Sequence, residues 1–256
     1  MKLTNQYPSL QGKTIFISGG GTGIGACLVR SFLEQGAKVA FVDILVEEST
    51  QLVTGLKQTQ PDASVKFYHC DLVDVVALKS VIAQVEDDLG PISVLINNAA
   101  CDERHSIDEV TPEYWDQCLN TNLRHYFFAV QAVKPQMQRL GGGAVINFGS
   151  MSWHNRQAGM AGYTASKAGV MGLTRGLAAD LGKDKIRINT LTPGWVMTKR
   201  QLTHWVDKDT AKHIENNQCI KEYVMPEDIA AMALFLAADD SKLCTAQNFI
   251  VDGGWI

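Results

Sequence analysis

Thr14-Ile15-Phe16-Ile17-Ser18-Gly19-Gly20-Gly21-Thr22-Gly23-Ile24-Gly25-Ala26-Cys27-Leu28-Val29 runs from an apolar, β-branched segment through a glycine-rich turn into a second apolar segment. Glycine serves where a backbone must turn tightly and approach a pyrophosphate closely, and the helix amino terminus that follows attracts negative charge. A glycine-rich turn alone is common in loops. Placed between a strand and a helix, it predicts that Gly19, Thr22, Gly23, Ile24 and Gly25 form a phosphate cradle.

Outward from this turn, apolar β-rich runs alternate with helical patterns, the signature of a parallel sheet covered by helices. Strands are expected near Thr14–Ser18, Lys38–Asp43, Val65–Cys70, Ser93–Asn97, Ala144–Phe148, Ile186–Leu191 and Asn248–Val251. Their continuous apolarity suits strands buried on both faces. Helices are expected near Gly23–Gln35, Val46–Gln60, Asp74–Leu89, Pro112–Arg139, Gly162–Leu181 and Pro226–Ala238. Thr111-Pro112-Glu113 and Met225-Pro226-Glu227 place proline where a first helical turn tolerates it, with an acid that the helix dipole favours. With no Ser/Gly/Pro-rich linker and no internal repeat, residues 1–256 read as one α/β domain, a single Rossmann-like doubly wound sheet of seven parallel strands. Residues 195–223 interrupt the alternation. They read either as a surface excursion of two short helices or as a segment that covers a substrate.

The composition is that of a globular protein with a large core, 46% hydrophobic and 20% charged. A net charge of −4 with no basic stripe argues against a nucleic-acid surface. Met1-Lys2-Leu3-Thr4-Asn5-Gln6 lacks the apolar core of a signal peptide, and no apolar run reaches the ~18 residues a membrane span needs. Six cysteines include no Cys-x-x-Cys and no His–Cys ligand spacing, so no metal is expected. They read as reduced thiols of a cytoplasmic protein.

A second constellation lies downstream. Tyr163 and Lys167 are four residues apart and share a helix face, which sets an ammonium beside a phenol. A tyrosine that titrates near ~10 is a poor base at neutral pH. A neighbouring cation favours the phenolate and makes it usable. Ser150 follows the apolar run Ala144-Val145-Ile146-Asn147-Phe148, where a strand end delivers a side chain to a ligand crevice. Alone, a Tyr-x-x-x-Lys pair is an ordinary solvated helix face; the serine and the glycine loop in register give it a chemical meaning.

Taken together, Ser18-Gly19-x-x-x-Gly23-x-Gly25, Asn97-Asn98-Ala99-Ala100, Asn122, Ser150, Tyr163-x-x-x-Lys167 and Pro193-Gly194-x-x-x-Thr198 resemble the short-chain dehydrogenases/reductases, from about Gly12 to Gly254. The resemblance implies a nicotinamide cofactor, with Asp71, Leu72, Asn98, Ala99, Tyr163, Lys167, Pro193, Gly194, Val196 and Thr198 joining the glycine loop around it. Asn97 resembles the position that holds the central strand. Asp43, twenty residues beyond Gly23, suits both adenosine ribose hydroxyls and repels a 2′-phosphate, which points to NAD; it also suits a plain loop start. By resemblance Tyr163 is the base, Ser150 holds the reacting oxygen, Lys167 binds the nicotinamide ribose while lowering the tyrosine pKa, and Asn122 holds the water of a proton relay; Asn122 also suits a helix cap or kink, which is compatible with that role. Ala100 departs from the family's usual glycine. Cys101 beside it reads as small-residue packing.

Further strings, among them Tyr7-Pro8-Ser9-Leu10, Asn122-Leu123-Arg124-His125 and Ser152-Trp153-His154, look like the family's bacterial sugar dehydrogenases. These oxidise the anomeric hydroxyl of pentoses or hexoses such as xylose, arabinose, fucose or galactose to lactones, and family members usually form homotetramers. A sugar site must be dense in polar groups, because each hydroxyl that leaves water must regain a partner. Arg104, His154, Asn155 and Trp195 are the candidates, with Asp102, His105 and Arg156 nearby. Asp102-Glu103-Arg104-His105 equally suits a solvated loop. The rival readings are a 3-oxoacyl-thioester reductase, disfavoured by Asp43 and the acidic balance, and a catalytically dead scaffold, disfavoured by the intact Asn122, Ser150, Tyr163 and Lys167.

Overall fold

A computed structural model describes residues 4–256, so the reading of the first three residues lies outside the described part. Seven parallel strands form one sheet in the order β3-β2-β1-β4-β5-β6-β7. They are β1 (Thr14–Ser18), β2 (Lys38–Asp43), β3 (Val65–His69), β4 (Ile92–Asn97), β5 (Gly143–Phe148), β6 (Ile186–Pro193) and β7 (Asn248–Val251). β6 runs two residues further than its apolar pattern predicts, because Thr192 and Pro193 still pair with Ile250 and Val251 of β7.

Alternation along the central strands feeds two cores. Ile15 and Ile17 of β1 pack with α1 (Gly23–Glu34) on one face, through Leu28 and Phe32; Phe16 packs on the other with Leu78 and Ile82 of α3 (Val75–Leu89). α2 (Val46–Thr59) completes the first βα units. The strand order reverses between β1 and β4, and the carboxyl ends of these two strands open the crevice where α/β sheets take ligands.

The helix expected over Pro112–Arg139 is not continuous. α4 (Pro112–Leu119) and α5 (His125–Arg139) are separated by a π-helical turn at Asn120–Arg124. Asn122 accounts for the break locally, since its side-chain amide donates to the Cys118 carbonyl at 2.9 Å and takes the place of a backbone donor. Such turns concentrate at functional sites. α6 (Ala161–Gly182) carries the Tyr163/Lys167 face, and α9 (Pro226–Ala237) packs on α1. Residues 195–223 hold two short helices, α7 (Lys199–His204) and α8 (Lys208–Asn217), anchored by a parallel bridge between Val196 and Val224. No described helix is long and apolar enough to cross a membrane, and no group of described His, Cys, Asp or Glu residues is placed to hold a metal.

Candidate active site

The crevice is a cleft of about 880 Å³ above the carboxyl ends of β1, β2, β4, β5 and β6. Its floor is the glycine turn. Gly19 adopts φ +68°, and a Cβ there would lie 2.8 Å from the Ala99 Cα. At Gly25 a Cβ would collide with the Gly19 carbonyl, so only glycine lets the helix start this close to the turn. Ser18 and Asn98 weld turn to strand. The Ser18 hydroxyl accepts from the backbone of Asn98 (3.0 Å) and Ala99 (3.1 Å), and the Asn98 side chain donates to the carbonyls of Ser18 (3.0 Å) and Gly19 (2.9 Å). The hydroxyl of Ser18 is a positioning group that its place in the motif alone does not disclose.

Asp43 marks the far end of the cleft. Its carboxylate accepts from Gly21 N (2.8 Å) and Leu45 N (3.0 Å), so both oxygens are oriented by backbone donors. A Cβ at Gly21 would run into Ser49 Oγ and Asp43, so position 21 itself places no basic side chain beside the carboxylate. Thr22, Gly23, Ile24, Asp71, Leu72, Asn98, Ala99, Pro193, Gly194, Val196 and Thr198 all line the same cleft. Thr198 also caps α7, accepting from Gln201 N at 3.3 Å.

Ser150 sits where β5 ends. Its hydroxyl donates to Ser152 Oγ at 2.9 Å and accepts from Ser152 N at 3.2 Å, which fixes its direction. Tyr163 lines the cleft beside it from the first turn of α6. Burial pushes the Tyr163 phenol up to about 12; the Ser150 hydroxyl opposes this, Asp102 adds to it and Arg104 counters it. This differs from the expected arrangement, in which Lys167 lowers the phenol. Lys167 is buried, at 1% exposure, and burial pulls its ammonium down to about 7. Its Nζ stands 5.7 Å from the Tyr163 ring centre and donates instead to Tyr126 Oη (3.0 Å) and the Phe148 carbonyl (2.9 Å).

Asn122 is buried behind the cleft wall rather than lining it. Its Oδ1 accepts from Cys101 N at 2.8 Å, while its Nδ2 holds the Cys118 carbonyl, so the side chain ties the loop after β4 to the π-turn. The bond to Cys118 fits the helix-kink reading, and the bond from Cys101 ties in the loop beside the cleft. Cys101 lines the cleft next to Ala100, whose methyl is exposed.

The candidate substrate residues divide. Arg104, Asn155 and Trp195 line the cleft with Ser150 and Tyr163. His154 does not: it is exposed, turned against the Trp153 ring at 3.5 Å between centroids. His105 turns to Tyr114, with Nδ1 3.0 Å from its hydroxyl, and Arg156 is exposed at φ +53°. Asp102 lines the cleft and pairs with Arg200 at 3.0 Å. Arg104 lies 4.9 Å from the Trp205 ring centre, donates to Met160 Sδ at 3.1 Å, and meets the Gln157 oxygen at 3.0 Å once that amide is turned to face it. Gln157 and Gln201 join the wall with nothing in their spacing to reveal it. A second depression, of about 990 Å³, lies at the opposite end of the strands and contains none of the motif residues. Its Lys13 and Lys38 are already committed to Asp239 and the Leu89 carbonyl.

Residues 19–256 match a family model described as enoyl-(acyl carrier protein) reductase. Over 249 residues the chain is 46% identical to the D-xylose 1-dehydrogenase of Caulobacter vibrioides, covering 97% of this chain and 98% of that protein. A probable galactose dehydrogenase of Rhizobium meliloti is 41% identical over 251 residues, 98% of each. Among solved structures, a 7α-hydroxysteroid dehydrogenase complexed with NADH and 7-oxoglycochenodeoxycholic acid superposes with a TM-score of 0.91 at 28% identity, covering 98% of this chain and 96% of that one. A blue fluorescent protein from a metagenomic library, in complex with NADPH, does so at 0.87 and 33%, covering 96% and 99%.

Proposed function

The chain belongs to the short-chain dehydrogenase/reductase family, and from that premise we propose that it is an NAD-linked aldose 1-dehydrogenase. The substrate is the cyclic form of a pentose or hexose and the first product a lactone. One observation carries the reading: a single cleft sets Ser150, Tyr163 and Lys167 between the Asp43 corner and a wall of Asp102, Arg104, Asn155, Gln157 and Gln201. A polyol that leaves water needs such a wall, whereas an acyl chain does not. The named sugar dehydrogenases among the relatives support the same choice.

The cleft suits a dinucleotide. The Gly25 cradle has no room for a side chain, the α1 amino terminus opens into it, and the Asp43 carboxylate is oriented and unopposed by any base. When bound, the nicotinamide supplies the hydride acceptor. The chain's own residues do the rest. Tyr163 Oη takes the anomeric hydroxyl proton, and Ser150 Oγ, held by the Ser152 N–H, turns its own proton from Ser152 Oγ to the same oxygen. Because burial holds the phenol near 12, abstraction near neutral pH depends on positive charge; Arg104 already supplies some, and Lys167 adds to it in proportion to the charge it carries. Trp195 offers an apolar face, stacked on Trp255 with centroids 6.4 Å apart.

Asp43 selects NAD over NADP by repelling a 2′-phosphate. The whole of residues 1–256 acts as one domain, with 195–223 covering the substrate. Trp115 and Phe127, exposed on α4 and α5 at 38% and 39%, support a homotetramer paired through the 112–139 segment and α6. Six free cysteines suit a cytoplasmic protein. NADH formation with a panel of pentoses and hexoses, with lactone identified as product, tests the reading. An enzyme inert to all of them that reduces 3-oxoacyl thioesters refutes it.

A further inference from the structure

Lys167 reaches the cleft from a buried triangle. An ammonium has three N–H donors, and here two are taken, by Tyr126 Oη at 3.0 Å and by the Phe148 carbonyl at 2.9 Å. Tyr126 closes the third side, donating to that same carbonyl at 3.2 Å. Both side chains are buried, Tyr126 completely. One N–H therefore remains for a ligand in the cleft, and its direction follows from the two bonds behind it. Tyr126 stands four residues past Asn122, just beyond the π-turn. A π-turn inserts a residue into the helical phase, so the turn that Asn122 stabilises also decides which α5 residue faces Lys167.

We propose that Tyr126 is a positioning residue for the oxidoreductase chemistry, aiming the last free N–H of Lys167 at the cofactor ribose and keeping the ammonium charged. The assignment rests on the reading of Lys167 given under the proposed function. The other groups facing Lys167 are His125 from α5, held neutral by burial and by Lys167 itself, Tyr163 from its own helix, and Asp102 from the loop after β4, which favours the charge. None of them replaces a hydrogen-bond acceptor at Nζ. Without the Tyr126 hydroxyl the ammonium is less well solvated by the protein, so it loses its proton at lower pH and supports the Tyr163 phenolate less.

Tyr126→Phe removes one oxygen and keeps the ring. NADH binding, followed by nucleotide fluorescence from about pH 6 to pH 9, needs no sugar and reads Lys167 directly. The expected result is a dissociation constant raised about 2- to 10-fold near pH 7, with the weakening of binding at rising pH setting in about half a unit to one unit earlier. In aldose turnover at saturating NAD, the acid limb of kcat/KM for the sugar moves up by a similar amount. A folded Tyr126→Phe protein with wild-type NADH affinity and an unmoved pH dependence overturns the proposal. If the binding shift appears while no aldose is oxidised, the sugar reading fails and the role of Tyr126 stands. Should Tyr126→Phe fail to fold, Tyr126→Gln and Tyr126→Leu, which differ in carrying an acceptor, take its place, and equal NADH affinity in the two overturns the proposal.

Discussion

Ser18–Gly19 and Asn98–Ala99, eighty residues apart in sequence, are joined by four half-buried hydrogen bonds at the cofactor end of the cleft. At the substrate end, the loop after β4 and helix α7 meet through one ion pair, Asp102–Arg200, and a long hydrogen bond from Gln201 to Asp102 at 3.4 Å. Just beyond α7, Trp205 lies under the Arg104 guanidinium. The first set is backbone-directed and sheltered, so each bond resists replacement by water. The second is exposed, with Arg200 at 54%, and contacts of this kind contribute ~0–1 kcal/mol each. One end of the cleft is preorganised for a ligand of fixed shape. The other is held by contacts weak enough to be rearranged.

The sharpest test of this contrast is the group that sits between the two ends. Tyr163→Phe keeps the ring and its packing but removes the proton acceptor at the reacting oxygen. Turnover should fall by ~10²–10⁴, about 3–5 kcal/mol of barrier, with NAD binding nearly unchanged. Steady-state kinetics beside NADH titration checks both halves. A variant that keeps most of its turnover removes Tyr163 from the chemistry.

Lys167 gives the next largest effect, and it concerns stability. Its folded pKa, about 7, lies below the ordinary 10.5, so between these values the unfolded chain holds a proton that the folded one does not. Stability then rises with pH through this window, and the cost of burying the charge is fully present below 7. Tyr163, raised from 10 to about 12, works in the opposite direction only above pH 10. Urea unfolding of the wild type and Lys167→Met from about pH 6 to pH 10 should therefore show the variant gaining most on the wild type at low pH, with that relative gain shrinking as pH rises. The difference should change by up to ~4 kcal/mol, an upper bound for a fully dry site. Parallel curves would mean that the lysine is well solvated.

What the sequence discloses follows the same division. The glycine turn, Asp43 and the Tyr163/Lys167 pair are legible because backbone geometry and a shared helix face impose residue types at fixed spacings. The sheet is legible for a like reason, since strands buried on both faces are apolar throughout. Gln157 reaches the cleft on a loop, Arg200 and Gln201 on the short helix α7, whose placement over the cleft no period encodes, and His154, adjacent in sequence to cleft residues, turns out to solvent. The π-turn escaped for a subtler reason. Asn120, Thr121 and Asn122 are weak helix formers but do not by themselves specify a π-turn, and the side chain that replaces the backbone donor, Asn122, reads equally as a cap or kink. The opposite shifts of the Tyr163 phenol and the Lys167 ammonium come from how deeply both are buried, a property of packing rather than of spacing.

A smaller effect is expected at the Asp43 corner. Asp43→Ser removes the negative charge and the acceptor for Gly21 N and Leu45 N. The preference for NAD over NADP should relax by about 10- to 100-fold, through weaker NAD binding as much as stronger NADP binding. NADP is not expected to become the better cofactor, because position 21 still places no basic side chain there. A wild type that uses both cofactors equally removes Asp43 from this role.

Arg200→Ala carries the smallest effect and tests the weak side of the comparison most directly. It deletes the exposed partner of Asp102 and leaves the cofactor end untouched. Without Arg200 the Asp102 carboxylate loses its ion-pair partner and keeps the long bond from Gln201, and Asp102 is one of the groups that already raise the Tyr163 phenol. The acid limb of kcat/KM for the sugar should therefore move up by a few tenths of a unit, with KM for the sugar rising about 2- to 5-fold and KM for NAD unchanged. Raising the salt concentration should shift the wild type towards the variant, since an exposed pair is screened while the half-buried bonds at Ser18 and Asn98 are not. A fall in NAD affinity of the same size as the loss for sugar would show that the two ends are mechanically coupled, and the separation between a preorganised end and a rearrangeable one would not hold.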